Sequence, residues 1–105
     1  EIPAIKDETW DRIISDMRLI IVDENGTGKN AEPDIPGMLV YGKTGTAENA
    51  HGESHAWFIG WAEYADQKYS VVILLENAGS GGKVAAPIAK MIFNEIYKSD
   101  KLVYK

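Results

Sequence analysis

Four consecutive residues, Lys43, Thr44, Gly45 and Thr46, set an ammonium, two hydroxyls and a bare backbone side by side. Met38-Leu39-Val40-Tyr41 before them reads as a short apolar strand, and turn-formers follow from Glu48 to Ser54. At the end of a strand on a sheet edge, these groups are the parts needed to hold an extended peptide and its carboxylate. The cation attracts the anion and can tune proton transfer around a nucleophile. The hydroxyls donate to carboxylate oxygens, and the glycine lets a second backbone come close. Each residue also has a plainer reading. A lysine often ends a solvated strand, threonine suits a strand by β-branching alone, and Gly45 can mark a terminus or bulge. Gly42 divides evenly between such roles.

Two further groups invite chemistry. His51, Glu53 and His55 alternate as zinc ligands on one strand face would, but Asn49 to Ser54 reads as a loop, where alternation means little. We therefore expect no metal there, and a loop that shapes the rim of a groove. Trp57, Phe58 and Trp61 could form a sugar or base platform; placed mid-strand among apolar residues, they read better as core packing.

The elements that must position these groups follow from periodicity. Trp10, Ile13, Ile14, Met17, Ile20 and Ile21 recur at helical spacing, which predicts a helix from about Glu8 to Ile21 with Asp7 as its cap. Asp23 to Gly37 is dense in Gly, Pro, Asn and Asp and reads as a loop. Strands are expected from about Met38 to Thr46, His55 to Ala62 and Tyr69 to Glu76. Val71-Val72-Ile73-Leu74-Leu75 is apolar at every position, which predicts cover on both faces. Connections too short for a crossover favour an antiparallel meander. A last helix is expected from about Ala85 to Lys98, with Pro87 in its first turn. The fold class is α+β: a three-stranded antiparallel sheet flanked by an N-terminal and a C-terminal helix, which could cover parts of both sheet faces but not the outer edges.

The 105 residues make at most one small domain, and a net charge of −5 without a basic stripe argues against a nucleic-acid partner. With no cysteine there is no disulfide or thiolate site. No apolar run reaches the roughly 18–20 residues needed to cross a bilayer. The chain begins Glu1-Ile2-Pro3 without a methionine, and reads as part of something longer.

Gly42-Lys43-Thr44-Gly45-Thr46-Ala47-Glu48, followed by His55-Ala56-Trp57-Phe58-Ile59-Gly60-Trp61, resembles the C-terminal part of the transpeptidase domain of penicillin-binding proteins. Lys-Thr-Gly is the third signature of that superfamily, beside S-x-x-K and a serine-containing triplet. His55-Ala56-Trp57-Phe58 and Glu76-Asn77-Ala78-Gly79-Ser80-Gly81-Gly82, leading into Ala85-Ala86-Pro87-Ile88-Ala89, look like the class B, penicillin-binding protein 2 branch. The resemblance covers nearly the whole chain. It implies a peptidoglycan D,D-transpeptidase that cross-links stem peptides ending in D-Ala-D-Ala through an acyl-serine and is blocked by β-lactam antibiotics. It also implies a membrane-anchored parent working on the outer side of the cytoplasmic membrane, beside proteins of cell-wall elongation, and no cofactor.

By the same resemblance Lys43 and Thr46 are catalytic, the backbone N–H of Thr46 being one oxyanion-hole donor, and Lys43, Thr44, Gly45 and Thr46 bind substrate. The nucleophile is not supplied. No serine here is followed two residues on by asparagine, and the one S-x-x-K match, Ser80-Gly81-Gly82-Lys83, falls in a glycine-rich link rather than at a rigid helix start. The catalytic serine and its lysine are expected upstream, on the rest of the transpeptidase domain, so this segment alone is expected to be inactive. Two rival readings share these residues: a non-catalytic β-lactam or muropeptide sensor, and a small structural or interaction module.

Overall fold

The computed structural model describes residues 4–103. Helix α1 spans Asp7–Val22, a short 3-10 turn Lys29–Ala31 follows, and three strands come next: β1 Leu39–Ala47, β2 His55–Tyr64 and β3 Gln67–Leu75. A π-helical turn, Gly81–Ala85, then leads into helix α2, Ala86–Val103. The strands form one sheet in the order β1-β2-β3, antiparallel throughout. The meander and the α+β class read from the sequence are what forms.

The start of α1 differs from expectation. Lys6 occupies the cap position without a side-chain bond, and its carbonyl accepts from the N–H groups of Thr9 and Trp10. Asp7 lies inside the first turn with Glu8, where the helix dipole favours acid. Only the C-terminal end of the apolar stripe reaches the core: Ile21 is 1% exposed, whereas Trp10, Ile13 and Ile14 stay open. Between β2 and β3 the chain reverses on Ala65 and Asp66, both at positive φ, the backbone of a tight type I′ hairpin.

Burial along the strands alternates, and the register assigns each face. Val40, Gly42 and Thr44 of β1, Ala56, Phe58, Gly60 and Ala62 of β2, and Val71 and Ile73 of β3 line the buried side. Ala85, Ala86, Ala89 and Phe93 pack into the same core, with Ile21, Ala31 and Met38. Three alanines in a row of turns let α2 sit close to the sheet, and Phe93 fills what remains.

The opposite side is open. Val72 is 72% exposed and Leu74 61%, and Ile59 is exposed beside them. The apolar run from Val71 to Leu75 therefore has cover on one face, not two: α2 reaches β2 and β3 from the buried side, and α1 runs against β1. Leaving each such side chain in water forgoes roughly 1.5–3 kcal/mol of burial.

The π turn leaves one carbonyl without a backbone donor. In such a turn the Gly82 carbonyl looks to the N–H five residues on, which at Pro87 does not exist. Asn30 supplies the donor instead, its Nδ2 lying 3.1 Å from the Gly82 oxygen. Pro87 is thus in the first turn of α2, but the helical run begins earlier, at Gly81.

An open sheet face and an unpaired β3 edge invite association with another chain. We expect the 105-residue polypeptide to sediment as concentration-dependent oligomers. Val72→Lys together with Leu74→Glu should shift it toward monomer. A wild-type chain that stays monomeric at every concentration would show that the open face is tolerated in water.

Candidate active site

Lys43 to Thr46 lie consecutively in β1, so strand alternation sends Lys43 and Gly45 to the open face and Thr44 and Thr46 to the helix side. Lys43 is exposed, and its Nζ donates to the Thr44 carbonyl at 2.8 Å. Thr44 is 4% exposed and its hydroxyl is bonded to the Thr27 hydroxyl at 2.7 Å. Thr46 is exposed, and its Oγ1 accepts from the Gly81 N–H at 3.2 Å. With that acceptor position filled by a backbone donor, the Thr46 hydroxyl proton is free to point at an anion. A cation and an oriented hydroxyl donor, on opposite faces of one strand end, suit a carboxylate lying at the strand edge between them.

Gly45 has a reason to be glycine that the sequence did not disclose. A side chain there would fall inside the indole of Trp57, its partner across the β1–β2 ladder. The same holds at Gly42, where the ring of Phe58 occupies the space a methyl would need. Beside the expected approach of a second backbone, Gly45 thus has an internal cause for being glycine: the chain's own tryptophan covers it. Of the three aromatics read as core, Phe58 is fully buried, whereas Trp57 and Trp61 are half-buried on the opposite face. Trp61 stacks on Tyr41 with ring centroids 4.7 Å apart, and the Arg18 guanidinium lies 6.0 Å from the Tyr41 ring. Arg18 also binds Glu32 at 2.8 Å and the Val40 carbonyl at 2.7 Å, which ties α1 and the following loop to β1.

Ser80 caps the π turn: its Oγ accepts from the Lys83 N–H at 3.4 Å. Capping accounts for the serine but not for the lysine, whose backbone alone takes part, and Ser80 opens a helical run rather than resting in a plain link. His55 stands at the head of β2 with Nδ1 accepting from the Asn77 N–H at 3.0 Å. Asn49 bonds Asn77, and the Ala78 and Gly79 N–H groups donate to the Ser54 carbonyl, so the β1–β2 loop is pinned to the turn after β3. His51 and Glu53 are exposed on that loop, and among the described residues no three His, Asp or Glu side chains converge on a metal position. Nothing in the sequence signalled the parts played beside the strand by Thr27 and by the Gly81 N–H. The only sequence trace of Thr27 is its place between Gly26 and Gly28.

The Gly45–Trp57 contact is testable by itself. Gly45→Ala should cost about 1–3 kcal/mol by overpacking, and Trp57→Leu in the same chain should recover much of that loss, a coupling read from a double-mutant cycle of denaturant unfolding. Additive effects would show that the indole swings aside freely.

Comparison with known proteins places these features. The family model described as the penicillin-binding protein transpeptidase domain matches residues 2–94. The peptidoglycan D,D-transpeptidase MrdA of Haemophilus influenzae is 33% identical over 109 residues, an alignment covering 90% of this chain and 17% of that protein. Among solved structures, penicillin-binding protein 2 of Pseudomonas aeruginosa, in complex with WCK 5153, superposes with a TM-score of 0.73 at 29% identity, covering 89% of this chain and 20% of that one. The D,D-transpeptidase domain of a peptidoglycan glycosyltransferase from Eggerthella lenta gives a TM-score of 0.69 at 30% identity, covering 94% and 22%. The chain thus spans about a fifth of the proteins it matches. With a family model over nearly its whole length, a sheet that superposes on two transpeptidases and a Lys-Thr-Gly-Thr strand at its edge, this chain belongs to the penicillin-binding protein transpeptidase family, in its class B, penicillin-binding protein 2-like branch.

Proposed function

We propose that these 105 residues are the C-terminal part of a serine D,D-transpeptidase domain and supply one wall of its cleft, the Lys43-Thr44-Gly45-Thr46 strand. The observation that carries this reading is the pairing of an exposed Lys43 with a Thr46 hydroxyl whose acceptor side is already filled by the Gly81 N–H. The nucleophilic serine and its lysine come from the remainder of the parent. In the reaction, the serine oxygen attacks the penultimate D-Ala carbonyl of a stem peptide and the C–N bond to the terminal D-Ala breaks. The leaving amine takes a proton, and the acyl group passes to the amine of another stem. A β-lactam follows the first half only: its ring C–N bond opens and the serine stays acylated.

Each group on the strand has a part in this. Lys43 draws the substrate carboxylate to the strand and lowers the cost of charge near the serine. The Thr46 hydroxyl donates to that carboxylate, and its backbone N–H is one donor to the tetrahedral oxyanion. Gly45, covered by Trp57 on one side, leaves the strand edge free of side-chain bulk.

The rest of the domain is the first partner of this chain. The open face at Ile59, Val72 and Leu74 fits the packing of further helices, the nucleophile helix among them. The β3 edge fits a further strand. Beside that edge runs an apolar groove of about 610 Å³ between β3 and α2, lined by Tyr69, Ile88, Met91 and Ile92. Asp100 also lines it, with a carboxylate oxygen buried and unpartnered among the described residues. No described helix is long and apolar enough to cross a membrane; a membrane anchor, the outer-face location and contacts with elongation proteins belong to the parent.

Two measurements test this reading. Intact mass spectrometry after incubation with a penicillin should find no adduct on the 105-residue chain and one adduct on the parent, on a serine outside residues 1–105. An adduct on Ser80 would overturn the assignment, and a parent that is acylated but never cross-links stem peptides would be a sensor. In the parent, Lys43→Ala should slow acylation by about a hundredfold or more while changing stability by no more than about 1 kcal/mol. Unchanged acylation would remove Lys43 from the site.

A further inference from the structure

We propose that Thr27 is part of the carboxylate-binding wall, as the outward hydroxyl donor, with Thr44 acting behind it as its positioning residue. This rests on the transpeptidase reading above and adds to it a residue outside the Lys-Thr-Gly-Thr strand. Thr44 is 4% exposed, so its hydroxyl has almost no surface to offer a ligand. Its oxygen lies 2.7 Å from the Thr27 oxygen, and between two hydroxyls one must donate and the other accept. With Thr44 donating, the Thr27 oxygen is the acceptor and the Thr27 proton is left for a further partner. Thr27 is exposed. The position where a strand threonine would meet the substrate carboxylate is thus taken over by a loop threonine one hydrogen bond further out.

Thr27 belongs to the loop between α1 and β1, yet it is held firmly. Gly28 N donates to the Ile20 carbonyl at 3.1 Å. Gly26 lies so close to that same carbonyl that a side chain there would run into it, and one at Gly28 would meet Ile20 and Ile21. Both glycines therefore press the loop onto the C-terminal end of α1, leaving Thr27 as the one side chain of the three. From the other direction Gly82 abuts the Thr27 carbonyl, while its neighbour Gly81 donates to the Thr46 hydroxyl. The two consecutive glycines thus touch Thr27 and Thr46 in turn, so both threonines belong to one rigid cluster. Two hydroxyl donors, from Thr27 and Thr46, thus stand on the helix side of the strand end, with the Lys43 ammonium across the strand, a donor set for a carboxylate lying at the strand edge.

The test uses the full-length parent and benzylpenicillin, with the acylation rate followed to saturation. Thr27→Val keeps the shape and removes the hydroxyl; Thr27→Ser keeps the hydroxyl. We expect Thr27→Val to raise the half-saturating concentration by about tenfold or more, the loss of one charge-assisted hydrogen bond, with the limiting acylation rate within about twofold. Thr27→Ser should restore parental behaviour. Thr44→Val should give a similar rise, and the double variant no more than either alone, because both act through one donor. A Thr27→Val protein that saturates like the parent, that loses limiting rate instead of affinity, or that is not rescued by serine would overturn the assignment while leaving the transpeptidase reading in place. A parent that is not acylated at all would overturn the transpeptidase reading itself.

Discussion

Everything at this strand depends on the register of β1 against β2, and two aromatic rings set that register. Phe58 lies over Gly42 on the buried face, and Trp57 lies over Gly45 on the open face. Each ring fits only where its neighbour strand has no side chain. A slip of one residue would bring Thr44 or Thr46 opposite Trp57, in place of Gly45, and turn Thr44 out of the core, reversing every facing group along the strand. The two glycine–aromatic contacts, on opposite faces of adjacent strands, exclude that slip from both sides. Lys43 is thereby exposed, Thr44 is buried against Thr27, and Thr46 meets Gly81.

The second constraint is one of quantity. A single layer of helix covers one face of a three-stranded sheet, and the core that results is built from Phe58, Phe93, Ile21, Val40 and a row of alanines. Small chains bury too little surface to be generous with open apolar faces. Here Val72, Leu74 and Ile59 remain in water on the far side, with Trp10, Ile13 and Ile14 open along α1. Such residues suit a packed environment, which is the physical ground for the proposed packing of further elements on this face.

How far the sequence could be read follows from which forces are local. The helical stripe of α1, the meander and the turn-rich loop after α1 were legible because spacing and turn residues act over a few positions. The Lys-Thr-Gly-Thr strand was legible as a motif. The one-sided cover of β3 was not, since Val71 to Leu75 has the same letters whether the second layer is present or absent. The internal reason for Gly45 was hidden because its neighbour Trp57 is twelve positions away and only the ladder brings them together. Thr27 was invisible for the same reason: it meets Thr44 seventeen residues later, and nothing in Gly-Thr-Gly announces a partner. Asp7 failed as a cap because the chain enters α1 one residue earlier, on the Lys6 carbonyl.

The glycine–tryptophan contact also limits what evolution can try at this strand. Positions 42 and 45 are frozen by the fold, whatever molecule lies beside them, because any larger residue must first displace a ring of the chain's own. Positions 43 and 46 carry no such burden, being exposed. A lineage pressed to refuse one ligand while keeping another therefore has no neutral route through the glycines. Its accessible variation lies at the exposed strand positions and in the loop carrying Thr27, where a change of contact does not begin with a loss of folding.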